Sequence, residues 1–209
     1  DPTIVNGGII NSLSSNSKKG SGKWMIAEAD ESDGSFLYLP HEINIITNID
    51  SEHLDYYNNF NNLFNSFKEF SLSIPFYGFS VICLENKNTK ILAKKIITRN
   101  ILTYGVNKFN SDLNIVSISV VNKKSYFVLS VSPKLFKGKK RKFNFSLNLL
   151  GTHNILNATA AIAVSLKIGI KISVIKKALS NFAGVQRRFT FIGTINNARI
   201  YDDYAHHPN

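Results

Sequence analysis

The sequence predicts an α/β domain: a mostly parallel sheet flanked by helices, with a small antiparallel β subsheet. Three observations carry that expectation. Two continuous apolar runs, WMIAEA (24–29) and INIITNI (43–49), end in or lead into carboxylates, as strands buried on both faces of a parallel sheet do. Strand-like and helix-like segments then alternate through residue 105, the βαβ rhythm of a parallel sheet. Between 113 and 150 three strand-like runs follow without a helix, which predicts antiparallel pairing.

The elements follow in order. Phe60, Leu63, Phe64, Phe67 and Phe70 recur at helical spacing, so 58–72 is an amphipathic helix whose aromatic stripe faces the core. Pro75 and Gly78 end it. SVICLE (80–85) reads as a strand, NTKILAKKI (88–96) as a helix and NILTYG (100–105) as another strand. Residues 113–121, 124–132 and 142–150 are the three consecutive strand-like runs. An Ala-rich helix over 153–168 closes on Gly169 as a C-cap. Ser173 is placed to cap a second helix, 174–182. After Ala183-Gly184, the segments QRRFTFIG and ARIYDDYAHHPN read as the opening of a further domain. There is no internal repeat.

Composition bounds the function classes. The chain has 209 residues, 44% of them hydrophobic, which suffices for one large domain or one domain plus part of another. No apolar run approaches the roughly 20 residues of a membrane span. DPTIVNGG lacks the basic and apolar regions of a signal peptide. The chain starts mid-pattern without Met, and is expected to be part of something longer. One cysteine, Cys83, cannot form an internal disulfide, and its apolar run predicts a buried structural thiol in a reducing compartment, hence a cytoplasmic protein. The formal net charge of +11 invites a polyanion reading, centred on KGKKRK (137–142). That run leads into the alternating strand FNFSLNL and carries no interleaved aromatic platform. It is read as a basic loop, with no nucleic-acid or membrane partner. A basic α/β polyanion-binding module is the alternative class.

Against this positive charge, eight of the 14 acidic residues fall between Glu28 and Asp55: Glu28, Asp30, Glu31, Asp33, Glu42, Asp50, Glu52 and Asp55. His53 lies among them. Ligands of open parallel sheets bind outside the carboxyl ends of the strands, and both acidic turns fall there. Hard cations such as Mg²⁺ take oxygen ligands and keep waters or substrate phosphates, so one or two protein ligands suffice. Exposed acidic turns with capping roles are the other reading of the same residues.

The remaining motifs are weaker. KKGSGKW (18–24) fails as a phosphate loop, because Ser17 stands where the first Gly is needed and Trp24 where Ser or Thr is needed. It is a turn, and no phosphate-binding Gly-rich loop occurs in these residues. Asn154 and Asn157, in GTHNILNATAA, share a helix face and could meet a base or ribose, or Asn154 could cap the helix. Arg187-Arg188 could reach phosphate oxygens or form an interdomain salt bridge. DDYAHHP (202–208) holds two acids and two histidines. Adjacent His206 and His207 point apart in an extended chain, which weakens a metal reading there.

Taken together, DPTIVNGG, AEADESDGSFL, LPHEINI, TNIDSEHLDYY, IPFYG, GTHNILNATAA, QRRF and DDYAHHP occur in the order found in one family. The chain resembles the Mur ligases, the ATP-dependent amide-forming enzymes of peptidoglycan synthesis and so of cell-wall biogenesis and division. The resemblance spans nearly the whole chain. It implies a central ATPase domain over 1–186, of the P-loop type but without its phosphate loop. It also implies the start of a Rossmann-like C-terminal domain over 187–209, represented by its first strand. It implies that ATP phosphorylates the lactyl carboxylate of UDP-N-acetylmuramate and that the amine of L-alanine attacks the acyl phosphate. The family's murein-peptide recycling branch is the competing reading.

Residue by residue, the resemblance makes Glu28, 25 residues before His53, the family's Mg²⁺-binding glutamate in preference to Glu31, with His53 the second ligand. It places Asn154 and Asn157 near the nucleotide and Arg188 toward ATP. Asp203 closes on the nucleotide, and His206 and His207 lie toward the substrate. Lys68 is the only lysine on the helix where several relatives carry a carbamylated one, and it is not assigned. Residues 1–209 alone are expected to be inactive, and oligomeric state is open.

Overall fold

The computed structural model describes residues 1–97, 99–136, 141–188 and 190–204. It contains two compact units: Asp1–Glu28 with Phe182–Asn209, and Ala29–Asn181. The first part of the smaller unit holds β1 (Thr3–Ile10), β2 (Ser15–Lys18) and β3 (Met25–Ala27). In the larger unit β4 (Ile43–Ile46) is followed by α1 (Leu54–Tyr57), α2 (Phe60–Leu72), β5 (Phe79–Cys83), α3 (Lys87–Lys95) and β6 (Ile101–Val106). Then come β7 (Leu113–Val121), β8 (Lys124–Val131), β9 (Arg141–Leu147), α4 (Thr152–Lys167) and α5 (Ile172–Asn181). The smaller unit closes with β10 (Thr190–Ile195) and β11 (Ala198–Asp202).

The larger unit is built on one six-stranded sheet in the order β4-β5-β6-β7-β8-β9. β4 to β7 run parallel and β7 to β9 antiparallel, so the antiparallel strands continue the parallel half. Parallel neighbours normally need a long crossover, yet only residues 107–112 join β6 to β7. The register explains this. β7 begins beside Tyr104 and pairs with β6 only through Tyr104↔Leu113, Gly105↔Asn114 and Val106↔Ile115, so the connection retreats about two residues. Asn107, at φ 52, starts that turn and donates its N–H to the Ile115 carbonyl. The β7–β8 hairpin turns on Asn122 and Lys123, both at positive φ, as a two-residue hairpin turn of the right hand requires.

Helices cover both faces. Ile46 and Ile82 pack against Phe64 of α2, Leu92 and Ala93 of α3, and Ile96, with Ile49 closing the cluster. Phe60 and Phe67 border it, so the aromatic stripe read from the sequence is core. Side chains alternate along a strand, and α4 lies on β5 and β6 while α5 lies on β9. Ala158, Ala160 and Ala163 of α4 are buried with Ile155, Ile162 and Leu166. Across the sheet, Asp112 binds Thr103 through its N–H (2.9 Å) and hydroxyl (3.1 Å), and Lys134 at 3.0 Å.

Several elements differ from expectation. β3 forms within 24–29, but its three residues are exposed, and it lies at the edge of a separate sheet of order β2-β1-β3 rather than in the main parallel sheet. Ser173 does not cap α5: the helix starts at Ile172, and the Lys171 carbonyl accepts the N–H groups of Val174 and Ile175. Gly169 does follow α4 in the left-handed region at φ 88. The terminal segment forms a two-stranded hairpin turning on Asn196 and Asn197 rather than a single strand. Lys137 to Lys140 lie outside the described residues, and Arg141 and Lys142 open β9. Among the described residues no helix is long and apolar enough to cross a membrane.

Candidate functional site

The site lies beyond the carboxyl end of β4. The chain leaves the strand through Thr47–Asp50 and enters α1, a single helical turn. His53 caps that turn at φ 53, and Asn58 ends it at φ 64. Left-handed backbone at two residues other than Gly, five positions apart, is uncommon, and such strain concentrates at functional sites. The His53 carbonyl accepts the N–H groups of Tyr56 (3.0 Å) and Tyr57 (3.1 Å), which fixes the histidine to the turn.

The preceding acidic segment folds over this turn. Asp30 accepts the Ser32 N–H and Asp33 the Ser35 N–H, each at 2.9 Å. Hydrogen bonds from the Ser35 side chain and backbone hold the Asp33 carboxyl below its ordinary range. Both aspartates thus serve the local backbone, as the capping reading of this turn expects. Glu31 does something different. Its carbonyl accepts the Tyr57 hydroxyl at 2.5 Å and the Gly34 N–H at 3.2 Å, while its carboxylate stands 3.8 Å from His53 Nε2. Glu52 reaches the same nitrogen at 3.9 Å. Burial, followed by the neighbouring Tyr56, Glu31, Asp33 and Asp30, pushes the Tyr57 hydroxyl up to about 12, so it remains a donor at neutral pH.

Glu31, Glu52 and His53 are the one group of three potential ligands gathered among the described residues, with their ligand atoms all within 4.8 Å. Mg²⁺ holds its ligands at about 2.1 Å in an octahedron, so cis ligands stand about 3 Å apart and trans ligands about 4 Å. Two carboxylates and an imidazole, each partly exposed, are ligand types that a hard divalent ion accepts, but His53 stands 3.8 and 3.9 Å from the two carboxylates, wider than cis positions, so the side chains would have to close in to hold an ion. Beside them lies a cavity of about 150 Å³. Its floor is Phe36, Ile46, Leu63, Phe67 and Phe70, and its rim carries Glu31, Asp50 and Glu52.

The other predicted residues are placed as follows. Glu28 belongs to the smaller unit, where its carboxylate accepts the Gly7 N–H at 2.5 Å. A Cβ at Gly7 would stand 3.0 Å from that carboxylate oxygen, so glycine permits the approach. Asn154 and Asn157 occupy the first turns of α4. Asn154 donates to the Leu150 carbonyl at 2.7 Å, so its side chain does not cap the helix, whose N-cap is Gly151. Asn157 is exposed one turn further on. In the smaller unit Arg187, at φ 57, stands 3.7 Å from Asp202 and lies over the Tyr204 ring. Arg188 and Asp203 are exposed. His206 and His207 lie outside the described residues. The resemblance assigned Glu28, not Glu31, to the cation, and gave no role to Glu52 or Tyr57. The spacing of His53 and Tyr57, four apart and hence one helical turn, was the signal that could have found Tyr57.

Comparison with known proteins decides the family. The model of the Mur ligase middle domain matches residues 10–165. The chain belongs to the Mur ligase family. Within this family it is 44% identical over 208 residues to a UDP-N-acetylmuramate–L-alanine ligase of Bartonella bacilliformis, and 46% to that of Methylocella silvestris. Both alignments cover 100% of this chain and 44% of the relative, so the chain spans less than half the length of these Mur ligases. The crystal structure of a UDP-N-acetylmuramate–alanine ligase from Thermotoga maritima superposes with a TM-score of 0.81 at 29% identity, over 99% of this chain and 45% of that one. A murein peptide ligase from Psychrobacter arcticus shares the fold at TM-score 0.72 and 24% identity.

Proposed function

We propose that this chain is the central part of a cytoplasmic ATP-dependent ligase that joins L-alanine to UDP-N-acetylmuramate in peptidoglycan synthesis. The observation that carries the reading is the 44% identity to such a ligase across the whole of this chain. The acidic site at the carboxyl end of β4 supports it chemically. In this reading residues 1–186 belong to the nucleotide-handling domain and 187–209 open the next one.

Joining a carboxylate to an amine requires activating the acid. Phosphoryl transfer from ATP to the lactyl carboxylate gives an acyl phosphate. The amine nitrogen of L-alanine attacks its carbonyl carbon, the C–N bond forms, and inorganic phosphate leaves with the bond electrons. Such transfer is largely positioning and charge neutralisation. Mg²⁺, when bound, would neutralise phosphate oxygens and hold them in line. Glu28 and His53 are the proposed ligands, and Glu31 and Glu52 flank the imidazole at 3.8 and 3.9 Å. Arg188 is assigned to the developing negative charge, Asn154, Asn157 and Asp203 to the nucleotide, and His206 and His207 to the substrate side.

The test uses the full-length protein with UDP-N-acetylmuramate, L-alanine, ATP and Mg²⁺, followed by mass spectrometry and ADP release. Product carrying one added alanine, lost when any single component is omitted, is expected. Preference for a peptide over L-alanine would instead place the protein in the recycling branch.

A further inference from the structure

The β7–β8 hairpin carries a strand edge that the proposed function does not use. β6 stops pairing with β7 at Val106↔Ile115, whereas β7 runs on to Val121. Among the described residues no strand therefore lies beside Ser117–Val121 on that side. A bulge at Val116 precedes this stretch, and from Ser117↔Val128 to Val121↔Lys124 the ladder to β8 is regular. The two-residue turn of Asn122 and Lys123 makes Val121 and Lys124 the closing hydrogen-bonded pair. Antiparallel pairs alternate, so Ser119 and Ser117 also turn their backbone groups toward β8. The N–H and C=O groups of Ile118 and Val120 point the other way, off the sheet, as a template for another strand. The same two side chains extend an apolar layer. They share a face with their cross-strand partners Phe127 and Ser125, and Phe127 stacks on Phe145 at 5.4 Å. Phe127, Phe145 and Leu147 are buried, but Ile118 is 36% and Val120 58% exposed, so the layer ends in two uncovered aliphatic side chains. Edges of this kind are commonly guarded by a charge or a proline, and Ser117–Val121, reading SISVV, has neither.

We infer that this edge pairs, antiparallel and about a two-fold axis at Ser119, with the same edge of a second copy of the chain. The edge is its own complement. With Ser119 on the axis, Ile118 of one copy stands opposite Val120 of the other, and the symmetric pair repeats the contact. Each pair exchanges both of its N–H···O bonds, so every outward donor of Ile118 and Val120 meets an outward acceptor. The aliphatic side chains of each pair lie on one face and cover each other. On the opposite face Ser119 meets Ser119, and Ser117 stands opposite Val121. No charge falls within the paired strands, and the turn lysines Lys123 and Lys124 of the two copies lie at opposite ends of the pair. Nothing on SISVV selects a charged partner, whereas the symmetry supplies a matching register. The paired stretch is short, which makes the dimer weak and concentration-dependent.

The experiment is analytical ultracentrifugation of the full-length protein over a wide concentration range, with hydrogen exchange of residues 117–121 followed by mass spectrometry. A monomer–dimer equilibrium is expected, with exchange in that segment slowing as the dimer fills. Ser119 is exposed, so its replacement leaves the monomer folded. Ser119→Lys and Ser119→Glu each set like charges against one another at the axis, and each should raise the dissociation constant about two- to fivefold. An equimolar mixture of the two variants sets opposite charges there and should restore association to at least that of the unmodified protein. Val120→Pro removes an outward N–H from each copy without touching the ladder to β8, and should abolish the dimer. Where Val120→Pro does not fold, the Ser119 mixture decides. A monomer at every concentration overturns the inference. A dimer that the folded variants leave intact also overturns it, because that dimer forms elsewhere. Protection of 117–121 that does not change with concentration overturns it too, because another segment of the same molecule then covers the edge.

Discussion

Gly34 is the residue whose replacement most sharply tests how the acidic turn is built. It adopts φ 73 and ψ 2, starts the 3₁₀ turn Ser35–Tyr38, and donates its N–H to the Glu31 carbonyl. That turn delivers Phe36, 2% exposed, onto the Phe67 and Phe70 rings at 5.4 and 4.9 Å. A Cβ at residue 34 would stand 2.7 Å from the Tyr56 hydroxyl and 3.0 Å from a ring carbon. Gly34→Ala therefore meets three effects. Left-handed backbone costs an L-residue about 1–2 kcal/mol. Displacing Tyr56, which is half exposed, from its rotamer costs about 0.5–1.5 kcal/mol. Restricting the unfolded chain returns about 0.4–1 kcal/mol. The net expectation is a destabilisation of about 1–2 kcal/mol, measured by urea unfolding followed by far-UV circular dichroism. In a Tyr56→Ala background the steric part vanishes, and Gly34→Ala should cost about 0.5–1 kcal/mol. A neutral or stabilising Gly34→Ala would refute the left-handed conformation and with it this account of the turn.

Other perturbations probe the frame behind the site. Leu92→Ala, at a fully buried position between α3 and the sheet, should cost about 2–5 kcal/mol in the same unfolding assay. Asp112→Ala leaves the Thr103 N–H and hydroxyl and Lys134 without their shared acceptor, and should cost about 2–3 kcal/mol. The Tyr57 hydroxyl is raised from 10 to about 12 in the fold, so between those values the unfolded chain loses this proton and the folded one keeps it. Stability from this group is complete below pH 10 and falls as pH rises toward 12. Thermal unfolding across pH 9.5–11.5 should show a slope that Tyr57→Phe reduces.

Much of the larger unit was legible because most of its strands and helices announce themselves locally; the single turn α1 and the 3₁₀ turn Ser35–Tyr38 were not read from the sequence. The Phe60–Phe70 stripe, the Ala-rich run of α4 and the apolar run at 79–83 all form the predicted elements, where burial and periodicity agree. What the sequence did not carry is set by partners distant in the chain. The run at 24–29 is as apolar as that at 43–49, yet β3 is exposed while Ile46 of β4 is buried against α2 and α3, because what packs on a strand rather than its composition decides burial. Within the candidate site, clustering of acids pointed to the segment where Glu31, Glu52 and His53 gather. The choice among Glu28, Glu31 and Glu52 depends on which turn folds over His53. Asp30 and Asp33, equally acidic in sequence, are occupied by Ser32 and Ser35 two residues on. Tyr57 looked like another aromatic until the structure showed its hydroxyl on the Glu31 carbonyl.

The central claim is that the acidic segment around His53 serves metal-dependent ligation, and its most direct test is His53→Ala in the full-length protein. Mg²⁺-dependent addition of L-alanine to UDP-N-acetylmuramate should fall by at least about a hundredfold, since a metal's charge stabilisation amounts to several kcal/mol. The melting temperature should stay near that of the unmodified protein, because the His53 side chain is partly exposed. Unchanged turnover and unchanged Mg²⁺ requirement in a folded His53→Ala protein would contradict the account.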